Sequence, residues 1–443
     1  MSGEEGGVLR SLFSVQRAER RAVGLAVAAF FCLLFAIFLL RPLRDVMGLQ
    51  GGARNLKYLW SLTLVGTVVA SLAFAHVSSV MPRRRFMAWA YRGIALLWVA
   101  LLPAVATFEG ELGVFFARAF YVLHAVSNVF IVSIFWALLA DVFDSGQSRR
   151  LFGLVAVGGT LGAIAGTTVI DVLSESFKAE DENRVLSLSL AVVAALFLEL
   201  GLQLAGALGR ETSRAPDKAQ VADARLGGSL IEGLTLVAQR PYLQGIAVFT
   251  FLHGVLQTIF TLQQNFVVEH EITEKALRTE YFAETERWAQ TLTLLVQLFV
   301  TGHLMRWLGV GGALLVLPIV ALGGCAGMLW HEELGIGALT VVTVTLIAWR
   351  GLSHSAMRPA REALFVPTAR AEKYKAKSFT DTFAFRGGDL ASAFLQGAGS
   401  MASIAFFGLG LAVAWGTFGS LLARAQKRLV GASREAGARR GEG

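Results

Sequence analysis

Cysteine is nearly missing from this chain: two in 443 residues, Cys32 and Cys325, each inside an apolar run and without metal-ligand spacing. They offer no disulfide framework and no zinc site. Charge is scarce too, at 16% of residues against 55% hydrophobic ones. It leaves whole blocks untouched, such as "LASAFLQGAGSMASIAFFGLGLAVAW" from Leu390 to Trp415. Alternation of the strand type is absent from these blocks, which excludes a barrel and leaves helices as the way to satisfy the backbone in lipid. No GxxxxGK[ST] loop is present, so hydrolysis of ATP within the chain is not expected to supply energy. "HEE" at 331–333 lacks the second histidine of a zinc protease motif, and "GGTLGAIAG" at 158–166 lies within an apolar block, where no dinucleotide-binding turn forms. An enzyme is therefore not expected, and no catalytic residue, cofactor or metal is assigned. "RAERR" precedes the first apolar block without a small-residue cleavage site after it, so that block reads as a retained helix.

What is present is an all-α polytopic membrane protein. Twelve spans are expected, near 22–42, 57–80, 86–107, 112–140, 151–173, 184–208, 242–268, 287–307, 310–330, 334–366, 378–399 and 403–424. The side that holds the amino terminus carries 27 Lys and Arg residues, and the opposite side carries 9. That bias places both termini in the cytoplasm, with a bacterial inner membrane as the expected location. The net charge of +8 sits at the membrane surface, so anionic lipid headgroups rather than nucleic acid are the expected partner.

The polar stretch "GRETSRAPDKAQVADARLGG" at 209–228 separates six spans from six. Three parts follow: an N-terminal six-helix half over 1–208, a cytoplasmic linker over 209–240, and a C-terminal half with a short basic tail over 241–443. Within the linker Leu230, Ile231, Leu234 and Val237 keep a helical period, as an amphipathic surface segment does. Glycine pairs fall early in span five (Gly158, Gly159) and span eleven (Gly387, Gly388), which makes the halves echo each other. Two parallel six-helix halves around a cavity form the major-facilitator arrangement. Gly158, Gly162 and Gly166 recur every four residues, a spacing that lets a neighbouring helix approach closely.

Ionisable groups at membrane depth are costly, about 2.5–3.5 kcal/mol each on insertion scales, and so face a bundle interior or water. Span ten carries Arg350, His354, Arg358 and Glu362 at steps of four, with Arg361 beside them; this reads as one stripe. Span four carries Arg118, Tyr121, His124 and Asn128; span seven carries His253, Gln257, Thr261 and Gln264. The expected cavity lining is Arg44, Lys57, Arg118, Arg350, Arg358, Arg361, Lys377 and Arg386 against Asp45, Glu362, Asp381 and Asp389. Expected internal pairs are Arg358 with Glu362, Lys377 with Asp381 and Arg386 with Asp389, since buried charge without a partner is costly. The surplus of cations suits an anionic cargo, and guanidinium groups suit phosphate or carboxylate. Pro359 should bend span ten next to Arg358.

The runs "SAMRPAREALFVPT" (355–368) and "KYKAKSFTDTFAFRGGD" (373–389) resemble the span ten to eleven region of the non-mitochondrial ATP/ADP translocases. "FLLRPLRDVMGL" (38–49) and "FWALLADVFDSGQSRRLFGLVAVGG" (135–159) are similar to two further segments of that family. The resemblance implies a major-facilitator-like fold and exchange of adenine nucleotides or related anions. It further implies that Arg44, Arg361, Glu362, Lys375 and Lys377 stand at positions required for transport. The family's acidic residue in span seven meets Gln257 here, and Arg358 replaces the acid before Pro359.

The expected function is a secondary transporter of an organic anion, a nucleotide among the candidates, working by alternating access. Substrate contacts are assigned to Arg44, Lys57, Arg118, His124, Asn128, His253, Gln257, Arg350, Arg358, Arg361 and Lys377, and coupling or gating to Asp45, Glu362, Asp381, Arg386 and Asp389. Two other readings are a proton-coupled exporter of the same fold and a non-transporting protein that docks a partner on its basic loops.

Overall fold

The computed structural model describes residues 15–441 apart from 51, 53–55, 81–82, 144, 174–181, 213–229, 301–306, 366–367, 369–375, 377–379 and 396–400. The described residues of the expected spans are mainly helical, parts of the spans at 287–307, 334–366 and 378–399 lie outside the described residues, and among the described residues there is no strand. In chain order the helices are α1 (Arg20–Gly48), α2 (Leu56–Val80), α3 (Arg83–Thr107), α4 (Gly110–Val142), α5 (Ser145–Leu173) and α6 (Glu182–Thr212), followed by the short α7 (Leu230–Gln239). Then come α8 (Pro241–Glu271), α9 (Lys275–Leu295), α10 (Gly309–Trp330), α11 (Ala338–Leu352), α12 (Arg358–Leu364), α13 (Phe385–Leu395) and α14 (Met401–Gly441). Among the described residues eight helices, namely α1, α3, α4, α5, α6, α8, α10 and α14, contain stretches long and apolar enough to cross a membrane unaided. Of the remaining spans, the one on α2 holds a shorter apolar stretch, Tyr58–Ala70, among the described residues, and those on α9 and on α11 to α13 are interrupted by π turns.

Two departures from the sequence expectation concern helix limits. The acidic segment 269–287, expected as a connection, is helical from Lys275 onward as the first half of α9. Span ten is not one regular helix: a π turn, Ser353–Met357, separates α11 from α12. Two more π turns follow α9 (Val296–Val300) and precede α13 (Thr380–Ala384). A π turn takes one extra residue, so side chains beyond it are rotated by about 100° relative to an uninterrupted helix. Pro359 sits at the start of α12, where its missing N–H is tolerated.

The chain forms two compact units, one of residues 1–225 with 268–294, the other of 226–267 with 295–443. In the first, α1 is the core helix. Ala26, Ala29, Leu33, Ala36, Ile37, Leu39 and Leu40 are all fully buried, as expected of a helix that is apolar all round. It lies against α5 along the glycine ladder. A methyl group at Gly162 would lie 2.1 Å from the carbonyl oxygen of Phe31, and one at Gly166 would lie 2.6 Å from that of Phe35. In the second unit α8 and α13 meet in the same way. A methyl at Gly388 would lie 2.2 Å from the Phe251 oxygen, and one at Gly254 would lie 2.3 Å from the Phe385 oxygen.

Such contacts exclude any side chain, so replacement must push two backbones apart. Gly162→Leu and Gly388→Leu should each destabilise by about 1–3 kcal/mol or more. Gly410→Leu, where nothing lies within 4 Å of the added carbon, should be neutral. Thermal unfolding of the purified variants checks this; equal midpoints for all three would refute the backbone contact.

Candidate functional site

In the first unit the charged groups collect where α1 loses its apolar run. Arg41 and Arg44 are one turn apart there, on either side of Pro42. The Arg44 guanidinium donates to Asp45 and stands 5.0 Å above the Tyr121 ring of α4. Tyr121 Oη in turn accepts a hydrogen bond of 2.8 Å from Trp60 Nε1 of α2. Arg41 packs over Phe38 and reaches Glu286 of α9 at 3.3 Å. Glu286 is buried and also accepts from Gln290 Nε2 at 2.8 Å. A second arginine of α9, Arg287, pairs with Asp171 at the end of α5.

Arg118 completes this set. It lies three residues before Tyr121, hence on the same face of α4. It is half-buried, its Nε is buried, and among the described residues no acid or hydrogen-bond acceptor meets it. Asn128, further along α4, is half-buried, and among the described residues its amide has no hydrogen bond.

In the second unit the polar groups of α8 meet α13 and α11. Asp389 of α13 is buried; its Oδ1 accepts from Thr258 Oγ1 of α8 at 2.8 Å, and its Oδ2 from Arg386 Nη1 at 3.2 Å. Arg350 Nη2 donates to Gln264 Oε1 of α8 at 3.3 Å. Gln257, one residue before Thr258, is half-buried, and its amide has no hydrogen bond among the described residues. Arg361 and Glu362 are half-buried on α12, whereas Arg358 is exposed.

Several expectations are corrected by this geometry. Arg358 does not pair with Glu362; among the described residues it has no partner. The stripe from Arg350 to Glu362 is broken by the π turn at 353–357, which rotates Arg358 away from the face that Arg350 presents to Gln264. The two histidines are not on a wet face. His124 is fully buried, its Nε2 3.0 Å from the Ile37 oxygen and its ring stacked on Trp98 at 5.6 Å. A step of six residues from Arg118 turns it some 120° round α4, onto α1 and α3. His253 is buried in an aromatic box of Trp349, Trp415 and Phe385, with centroids at 5.5, 5.6 and 5.4 Å. Both are packing residues in this conformation. The Arg386 to Asp389 pair is present as expected.

Lys57 lies on the first turn of α2 and Asp381 in the π turn before α13; their side chains, and all of Lys377, fall outside the described residues. Sequence reading passed over Arg41, Glu286, Arg287 and Asp171, because it counted them as parts of loops or helix ends. A signal existed in the step of four between Glu286 and Gln290, which now hydrogen-bond along α9.

Comparison with known proteins bears on the family and the fold. Residues 114–405 match the sequence model of the TLC ATP/ADP transporters. ADP,ATP carrier protein 1 of Chlamydia pneumoniae is 21% identical over 450 residues, which cover 88% of this chain and 87% of that one. The protein of the same name from Chlamydia muridarum is 21% identical over 452 residues, covering 88% and 84%. Among solved structures, the nucleoside transporter NupG aligns with a TM-score of 0.54 at 13% identity, covering 94% of this chain and 99% of that one. The human organic anion transporter MFSD10 aligns with a TM-score of 0.57 at 15% identity, covering 91% and 100%.

Asp389→Ala leaves Thr258 without its acceptor and Arg386 half-buried without an acid. Orphaned polar groups of this kind cost about 1–3 kcal/mol. The variant should unfold several degrees below wild type, and Asp389→Asn, which keeps an acceptor for Thr258, should fall between the two. Equal thermal midpoints for all three proteins would show that the pair contributes nothing.

Proposed function

We propose the following from one premise: this chain belongs to the TLC ATP/ADP transporter family. It is a membrane transporter with a major-facilitator-like helical fold. Its cargo, in this reading, is an adenine nucleotide or a closely related phosphate-bearing anion, exchanged across the membrane by alternating access. The relatives named above are ADP,ATP carriers, and one structural neighbour is an organic anion transporter. Two six-helix halves joined by the 209–240 segment would move about the cargo, with both termini on the cytoplasmic side of a bacterial inner membrane.

One observation carries the reading: Arg118, half-buried on α4, has no anionic partner among the described residues. A cation kept at that depth without compensation is costly. An anion arriving from outside the protein supplies what is missing. Arg44 is held over Tyr121, three residues along α4 from Arg118, and a planar guanidinium meets a phosphate through two parallel hydrogen bonds. Lys57, Arg350, Arg358, Arg361 and Lys377 keep the assignment to the cargo that the sequence suggests. Asn128 and Gln257, whose amides have no hydrogen bond among the described residues, suit the uncharged portion.

Coupling is assigned to the acids. The family's acidic position on α8 is Gln257 here, and the carboxylate that touches α8 comes from α13 as Asp389, through Thr258. Asp389 with Arg386, together with Asp45, Glu362 and Asp381, would exchange partners between states. The basic set does not favour a proton-coupled exporter of cations, and membership of a transporter family does not favour a docking protein.

The test is uptake of labelled ATP into proteoliposomes preloaded with ADP. Wild type should exchange, and Arg118→Ala should lose uptake by about tenfold or more, the loss expected when some 1.4 kcal/mol of binding disappears, while its thermal midpoint stays near wild type. Full uptake by Arg118→Ala would remove that residue from the site, and no exchange by wild type would remove nucleotides from the cargo.

A further inference from the structure

The first unit carries a charged island on its outer surface that the transport reading does not use. Arg92 of α3 and Glu199 of α6 form a two-pronged ion pair, Nε to Oε2 at 3.0 Å and Nη2 to Oε1 at 2.8 Å. Gln203, one turn along α6, donates to the same carboxylate at 2.6 Å. The pair is exposed, 56% for the Arg92 side chain and 36% for Glu199. Its surroundings are not those of an aqueous surface: Trp89 and Leu96 of α3 and Leu196 and Leu200 of α6 are all exposed around it.

Depth makes the island unusual. At a rise of about 1.5 Å per residue, Arg92 lies roughly 14 Å from the start of α3 and 22 Å from its end. Glu199 lies roughly 25 Å and 20 Å from the ends of α6. Both are within the hydrocarbon thickness. Arginines exposed at such depth extend toward the headgroups; this one is held in place by Glu199. Gly93, next to Arg92, has open space where a side chain would stand, and small residues at membrane helix surfaces admit another helix closely.

We propose that this α3/α6 face is a two-fold interface with a second copy of this chain. The occupant follows from the charges. A cation and an anion side by side are self-complementary: rotation by 180° about an axis between them sets Arg92 of each copy against the acid of the other. A partner of one sign would leave half of the island without compensation. In the pair of copies the four charges form a closed ring shielded from lipid, with the leucines and Trp89 packed as its rim. The inference is independent of the cargo.

The experiment uses the full chain in nanodiscs of native lipid, with mass from light scattering. Wild type should be a dimer. Arg92→Glu and Glu199→Arg should each be monomeric, since like charges would then face each other across the axis. Two differently tagged chains, one carrying Arg92→Glu and the other Glu199→Arg, should co-purify when expressed together, because every facing pair is again of opposite sign. Restoration of this kind is not expected if the pair only staples α3 to α6 within one chain. The double variant Arg92→Leu/Glu199→Leu, which removes charge without repulsion, keeps the test valid should the single variants misfold. It should dimerise at least about tenfold more weakly than wild type. A monomeric wild type, single variants that remain dimeric, no restoration on co-expression, or undiminished dimerisation of the double variant would each overturn the proposal.

Discussion

In hydrocarbon a buried ion must be met by another protein group or by what the protein binds, because no water is at hand to do it. That constraint sorts the arginines of this chain. Arg41 meets Glu286, Arg44 meets Asp45, Arg287 meets Asp171, Arg386 meets Asp389, Arg92 meets Glu199 and Arg350 meets the amide of Gln264. Arg118 and Arg358 meet nothing among the described residues. Pairing of a buried cation by protein is weak support for stability but strong support for a fixed geometry. Absence of pairing in a half-buried arginine stabilises nothing, and under the proposed function a transported anion would supply the missing charge.

The two units solve the packing problem alike and differ in how regular their helices are. In each, one helix pair meets backbone to backbone through glycine, α1 with α5 and α8 with α13. Each buries a histidine against a tryptophan. Among the described residues, however, all three π turns lie in the second unit. A π turn costs hydrogen-bond quality and is kept where a side chain must be re-aimed. Here the turn at 353–357 separates Arg350, which faces Gln264, from Arg358, which is exposed. The turn at 380–384 carries Asp381 and ends just before Arg386 and Asp389.

Much of this was legible in the chain before any coordinates. The spans were, because apolar blocks of 20 residues or more have few other uses. The glycine ladder was, because a step of four keeps Gly158, Gly162 and Gly166 on one face. The pair of Arg386 and Asp389 was, by its helical spacing. What failed did so for identifiable reasons. Charge made 275–287 look like a loop, although Glu286 and Arg287 are paired within the first unit. A stripe drawn at steps of four assumes an uninterrupted helix, and the π turn removed that assumption for Arg358. His124 and His253 were placed by helical spacing on polar stripes, whereas both rings pack against aromatic side chains. Contacts between helices distant in sequence, such as Tyr121 under Arg44, leave no pattern in a single helix.

The contrast between Arg118 and Arg92 shows what the sorting adds to composition. Both are arginines flanked by apolar residues within a helix, α4 and α3. Arg118 is drawn partly into its unit and finds no acid among the described residues; Arg92 is exposed and finds one. For the first, burial is provided and the counter-charge is missing, which is the condition of a binding group. For the second, the counter-charge is provided and burial is missing, which is the condition of an interface. Lipid satisfies neither need, since it offers the hydrocarbon interior no anion and covers an ion pair only at the cost of its own order. The same solvent rule therefore underlies both proposals, the one that gives Arg118 a small anion and the one that gives Arg92 a neighbouring protein surface.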